Sequence, residues 1–115
     1  FTSFLLKLDA SGNQTWSKNI ANAYTYYVLQ TSDGGYIAVT TSQSTDGIVV
    51  IKTDASGNQT WSSETFGSGA NTYGISITET SDGGYIISGA TSAFVDGNVR
   101  DMYLIKIDAS GNQIF

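Results

Sequence analysis

The sequence predicts an all-β fold built from tandem repeats, and three observations predict it. Blocks of the chain recur: FLLKLDASGNQTW at Phe4 to Trp16 returns as VVIKTDASGNQTW at Val49 to Trp61 and as YLIKIDASGNQIF at Tyr103 to Phe115. Glycine-bearing turn signals, Ser-Asp-Gly-Gly and Asp-Ala-Ser-Gly-Asn, separate the apolar runs. The runs themselves are short, β-branched and aromatic, and no long stretch shows the three-and-four apolar spacing of a helix.

A second block interleaves with the first: LQTSDGGYIAVTTS at Leu29 to Ser42 returns as TETSDGGYIISGATS from Thr78 to Ser92. Each repeat then resolves into four strands. Tyr27 to Thr31 and Ile75 to Thr80 read as the first strand, and Tyr36 to Thr41 and Tyr85 to Gly89 as the second. Between them Asp33-Gly34 and Asp82-Gly83 supply a tight hairpin, because glycine accepts the positive φ such a turn demands. Ile48 to Thr53, matched by Phe4 to Leu8 and Met102 to Ile107, reads as the third strand. Gln59 to Ser63, matched by Gln14 to Lys18, reads as the fourth. The turn joining these two places Gly12, Gly57 and Gly111 where a left-handed residue closes a hairpin, and its leading Asp9, Asp54 and Asp108 can accept backbone N–H bonds.

Asp9, Asp54 and Asp108 mark a period of about 45 to 54 residues, in the range of four-stranded propeller blades. The third strands IVVIKT and MYLIKI are continuously apolar, as expected when both faces of a sheet are covered by neighbouring sheets. The expected architecture is therefore a β-propeller-like array of tandem four-stranded antiparallel blades. Residues 1–22 form the outer hairpin of a partial blade, 23–68 a complete blade, and 69–115 a blade lacking most of its last strand. About two and a half blades cannot close a ring that needs four to eight, so the array is incomplete alone and both ends present unpaired edges. Variation falls at 19–24 against 67–73 and at 43–47 against 93–101, which marks these stretches as loops.

Composition removes several chemistries. The chain has 115 residues with no Cys, Pro or His, and five basic against ten acidic side chains for a net charge of -5. Without thiol or imidazole there is no Ser-His-Asp triad, no Cys/His pair and no ordinary zinc or haem site. The five basic residues are scattered, which argues against nucleic acid, and no apolar run approaches the length of a membrane span. Low charge with abundant Ser, Thr, Asn, Gln and Gly points to the cell surface or extracellular space, and a stacked array has a core that does not require disulfides. The chain opens on Phe1 rather than Met, as an excerpt of a longer polypeptide would.

The pattern Asp-x-Tyr-Leu-x-Lys-x-Asp-x-x-Gly-Asn, carried by Asp101, Tyr103, Leu104, Lys106, Asp108, Gly111 and Asn112, resembles the propeller repeats of bacterial and archaeal surface proteins. Lys52, Asp54, Gly57, Asn58 and Trp61 carry its middle copy, and Thr-Ser-Asp-Gly-Gly-Tyr-Ile follows the pattern. The resemblance implies a blade architecture and carries no activity. Ser-Gly-Asn-Gln-Thr-Trp also resembles the Asp-box hairpin of sialidase-type propellers, with Ala10 and Ala55 standing where that box has its Asp.

Individual residues read structurally. Lys7 with Asp9, Lys52 with Asp54 and Lys106 with Asp108 sit two apart on one strand face, as charged pairs that satisfy turns and a blade edge. Asp33 and Asp82 offer one carboxylate per turn, fewer than a calcium loop needs. Glu64, Glu79, Asp96 and Asp101 fall in different repeats without a glycosidase spacing. Trp16, Trp61 and Phe115 share one repeat position and are expected to pack between blades. Asn13 and Asn58 head Asn-Gln-Thr sequons on hairpin turns and are glycosylation candidates. The longer loop, with Phe94, Val95 and Arg100, is a contact candidate.

No cofactor and no enzyme chemistry are expected. The sequence points to a structural or assembly protein of the cell surface, a self-associating ring or filament former or part of a longer chain, whose partner is itself or the rest of that chain. The alternative is a fragment of a propeller binding module that reads a glycan or protein ligand on one rim.

Overall fold

The computed structural model describes residues 2–42, 47–66, 73–91 and 101–115. They form nine strands: β1 (Thr2–Leu8), β2 (Gln14–Ala21), β3 (Ala23–Gln30), β4 (Tyr36–Ser42), β5 (Ile48–Thr53), β6 (Gln59–Ser62), β7 (Tyr73–Glu79), β8 (Tyr85–Thr91) and β9 (Asp101–Ile107). The fold is all-β. Strands pair only with sequence neighbours, antiparallel, giving a two-stranded sheet β1-β2, a four-stranded sheet β3-β4-β5-β6 and a three-stranded sheet β7-β8-β9. Among the described residues no helix is long and apolar enough to cross a membrane.

The first strand of each repeat starts earlier than its apolar pattern predicts. Asn22, at φ 56°, is the single residue between β2 and β3, and β3 is therefore already under way at Ala23. Asn is among the few residues beside glycine that adopt this conformation at small cost. The pairing with β4 slips by one residue between Thr25 and Tyr27, and β7 slips at the equivalent place, between Gly74 and Ser76. Such a bulge interrupts the period of two, which hides the front half of the strand from a pattern reading.

The second and third sheets pack face to face, β7 lying against β3 and β4. Ile37, Val39, Ile48 and Val50 of the second sheet meet Ile77, Tyr85, Ile87, Ile105 and Ile107 of the third in one core, which Phe66 completes. Phe66 reaches it through a short extension beyond β6, bridged to Ile48 in both directions at 2.8 Å. β1 packs against β3, so the first sheet flanks the second on its other side.

One expectation needs correction. The apolar run MYLIKI was expected to be covered on both faces. In β9, Ile105 and Ile107 are buried against the second sheet while Met102 and Leu104 are exposed. The strand carries apolar side chains on two faces, and the described chain supplies a neighbour for one.

Candidate functional site

The contacts that join one sheet to the next repeat along the chain, and they begin at the tight turns. Gly57, at φ 83°, lies beneath the Trp16 indole: a Cβ there would stand 2.7 Å from the ring's Cε3 atom. Gly111, at φ 87°, lies in the same way beneath Trp61, with Cζ3 at 2.6 Å. Each Trp projects from the fourth strand of one sheet onto the turn between third and fourth strands of the next. Trp16 also donates its Nε1–H to the Ala55 carbonyl at 3.2 Å and meets Tyr36 edge-on, ring centroids 5.6 Å apart. Phe115, at the same repeat position, is exposed.

The Asp-Ala-Ser-Gly-Asn turns hold themselves. Asp9, Asp54 and Asp108 each accept two backbone N–H bonds at 2.9 Å, from the residues two and four further on. These bonds, led by the one from Asn13, Asn58 or Asn112, hold the carboxyls below the usual carboxylate value.

The lysines do not pair with these aspartates, as the two-residue spacing suggested. Lys52 Nζ reaches Asp33 in the β3–β4 turn, at 3.1 Å to Oδ2 and 3.2 Å to Oδ1, and donates to its neighbour's carbonyl at Thr53, 2.9 Å away. Lys106 does the same with Asp82, 3.2 Å to each oxygen, and with the Ile107 carbonyl at 3.1 Å. The reason is register: Ile37 stands opposite Lys52, and Ile86 opposite Lys106, so the turn just before β4 or β8 lies over the lysine. Asp54 and Asp108 are already turned into their own loops. Asp33 also accepts the Thr31 hydroxyl and the Gly35 N–H, and Asp82 those of Thr80 and Gly84. These hydroxyl and amide donors first, and the lysine after them, lower both carboxyls to about 2. A carboxylate so engaged by lysine is poorly placed for a cation, and among the described residues no group of three acidic side chains could hold a metal.

Glu79 makes a contact the sequence reading missed. It accepts the Ser32 N–H at 2.9 Å and the Ser32 hydroxyl, clasping the second sheet's turn from the third sheet. The repeat alignment, which sets Glu79 against Gln30, carried the only hint. Glu79 is thus engaged between sheets, Glu64 is exposed, and Asp96 and the Asp101 side chain lie outside the described residues.

Of the glycosylation candidates, Asn13 is exposed on its hairpin. Asn58 is exposed as well, and its side chain donates to Asp54 at 3.3 Å and accepts from Lys18 of the first sheet at 3.4 Å. The proposed contact loop with Phe94, Val95 and Arg100 lies outside the described residues.

The remaining feature is a cleft of about 570 Å³ between β1 and β3, lined by Phe4, Leu6, Lys7, Trp16, Tyr26 and Val28 among others. Its walls are mainly apolar, and one edge is the side of β1 that no described strand pairs. In the other two sheets this side of the third strand carries β4 or β8. Against this geometry, the chain matches no protein-family model, no curated protein and no solved structure.

Proposed function

We propose that this chain is a non-enzymatic structural module of an exported or cell-surface assembly. Its sheets would stack as consecutive blades of a β-propeller-like array, and its outer faces would be covered by neighbouring copies or by further blades of a longer polypeptide. The observation that carries this reading is a difference in burial between equivalent repeat positions. Ile77 is 1% exposed where the second sheet covers it, and Val28, at the same place in the preceding repeat, is 50% exposed. Ile105 is 1% exposed and its counterpart Leu6 47%; on the opposite strand face Val50 is fully buried and its counterpart Leu104 58% exposed. The repeat therefore specifies apolar faces in every copy: Leu6 and Leu104 lie on the two outermost faces, and Val28 lies where the two-stranded first sheet leaves the second uncovered. Apolar patches of this kind mark interaction surfaces in folded proteins. The resemblance to surface-protein propeller repeats and the sparsely charged, hydroxyl-rich composition support the same reading.

Light scattering of the purified 115-residue chain, with electron microscopy of the same sample, tests it. Discrete oligomers, rings or fibres are expected as concentration rises, since a repeated head-to-tail contact either closes or propagates. A folded monomer at every concentration that also fails to bind a dye for exposed apolar surface would overturn the proposal and direct attention to ligands of the rims.

A further inference from the structure

Lys7, Lys52 and Lys106 occupy one repeat position, and two of the three are sealed in the same way. Over Lys52 and Lys106 lies a Thr-Ser-Asp-Gly-Gly-Tyr turn whose Asp meets the ammonium and whose second glycine leaves no room for a side chain. A Cβ on Gly35 would collide with the Thr53 carbonyl and stand 2.7 Å from Lys52 Nζ, and one on Gly84 would stand 2.5 Å from Lys106 Nζ. The ammonium, the carbonyl of the next residue and the strand edge together form a receptor for Asp-Gly-Gly.

At Lys7 the receptor is assembled and uncovered. Lys7 Nζ folds back onto the Leu8 carbonyl at 2.7 Å, as Lys52 does onto Thr53 and Lys106 onto Ile107. The ion pairs among the described residues join Lys52 and Lys106 to their turns; Lys7 has only a longer-range attraction to Asp9. Leu8 is 45% exposed where its counterparts Thr53 and Ile107 are buried. The edge of β1 is unpaired by any described strand, and the cleft beside it is bounded by Leu6, Tyr26 and Val28.

We infer that the open edge of β1 is a docking site for a β-hairpin carrying a Thr-Ser-Asp-Gly-Gly-Tyr turn on another polypeptide, with Lys7 reading the aspartate. The inference rests on the assembly reading above and names the partner. The register follows from the two filled sites: the hairpin's Tyr stands opposite Leu8 and the residue after it opposite Lys7, as Tyr36 and Ile37 stand opposite Thr53 and Lys52. The interface continues one that the chain already makes twice, and the charges are complementary. A second copy of this chain is a poorer donor, because its own two such hairpins are already paired with β5 and β9. Main-chain pairing supplies affinity in strand addition of this kind, and the side-chain pocket supplies specificity.

The test is a titration of the chain with a synthetic peptide of its own residues 23–42, read by backbone amide NMR. Saturable one-to-one binding is expected, with the amides of Phe4 to Leu8 shifted and protected from exchange. Asp33→Asn in the peptide, or Lys7→Met in the chain, is expected to weaken binding about ten- to hundredfold, the range for hydrogen bonds to charged groups. The two together should be no worse than either alone. Gly35→Ala in the peptide should abolish binding. Lys7→Met should melt at the wild-type temperature, which separates lost recognition from lost fold. If both peptides protect β1 equally, edge completion stands and the Lys7 recognition falls. If a scrambled peptide binds as well, or no peptide perturbs β1, the docking site falls; the assembly reading falls too only where the chain is a monomer at every concentration and binds no dye for apolar surface.

Discussion

At Gly57 and Gly111 two demands meet in one residue. The turn needs a left-handed backbone, with φ of 83° and 87°, and the neighbouring sheet needs the space above the Cα for an indole. Gly12 has the same backbone, at φ 86°, with nothing within contact distance of its absent side chain. Substitution to alanine separates the demands. Gly12→Ala should cost only the left-handed strain, about 1 to 2 kcal/mol. Gly57→Ala and Gly111→Ala should add the overpacking against a tryptophan ring, for a total of about 2 to 4 kcal/mol. Urea midpoints of the three variants check the order, and equal losses would show that the ring gives way. The turn aspartates make acid the sensitive direction. Asp33 and Asp82 fall to about 2 from an ordinary 3.8. A carboxyl whose folded value is depressed stabilises fully above its unfolded value and loses that contribution as pH falls through the folded one. Melting temperature should therefore hold down to about pH 4 and decline towards pH 2. The double variant Asp33→Asn/Asp82→Asn should melt lower at neutral pH and show a shallower acid limb.

Between residue and molecule stands the hairpin β1–β2. A two-stranded ribbon is marginal alone, and among the described residues this one is held to the second sheet by few polar and ring contacts: the Trp16 indole on Gly57 with its bond to Ala55 and its edge-on contact with Tyr36, the Lys18–Asn58 contact, and Ser3 with Thr25 at 2.8 Å. Hydrogen exchange should rank the elements accordingly. Amides of β4, β5 and β8, which lie inside their sheets, should exchange slowest, and those of β1 and β2 faster. Trp16→Ala should release β1 and β2 almost completely and leave β4, β5 and β8 within about a factor of three, since little of their protection comes from the hairpin. Loss of protection across all three sheets would mean that the hairpin is part of a single cooperative unit.

For the molecule as a whole, the core lies between the second and third sheets, and the outer faces carry side chains of core type without a core. Met102 and Leu104 are exposed on β9, and their removal from the apolar surface should cost the fold little. The double variant Met102→Lys/Leu104→Lys is expected to lower dye binding and concentration-dependent association, with stability changed by no more than about 0.5 kcal/mol per site. Ile105→Lys, one residue along and facing the second sheet, should unfold the third sheet instead. If the outward pair proved as destabilising as the inward one, that face would already be covered in solution.

The all-β class, the turns and most strand positions were legible in the sequence because they are local matters. Asp-Gly and Ser-Gly specify their own hairpins, and β-branched runs their own extended backbone, whatever surrounds them. The repeat extended that legibility, since a turn read once could be read again at Gly12, Gly57 and Gly111. Pairing across the fold was another matter. Lys52 stands two residues from Asp54, yet its partner is Asp33, because strand register brings that turn over the ammonium. Nothing in the spacing of Ser32 and Glu79, or of Trp16 and Gly57, announces that they touch; only the stacking of one sheet on the next sets them side by side. The early start of β3 stayed hidden behind a bulge that breaks the period of two. The sequence by itself determined which segments are strands and where the chain turns, because those choices depend on each residue's own backbone preferences. The tertiary structure decided which lysine meets which aspartate, which glycine lies under a ring and which apolar faces are left uncovered, because those depend on the relative placement of segments far apart in the chain.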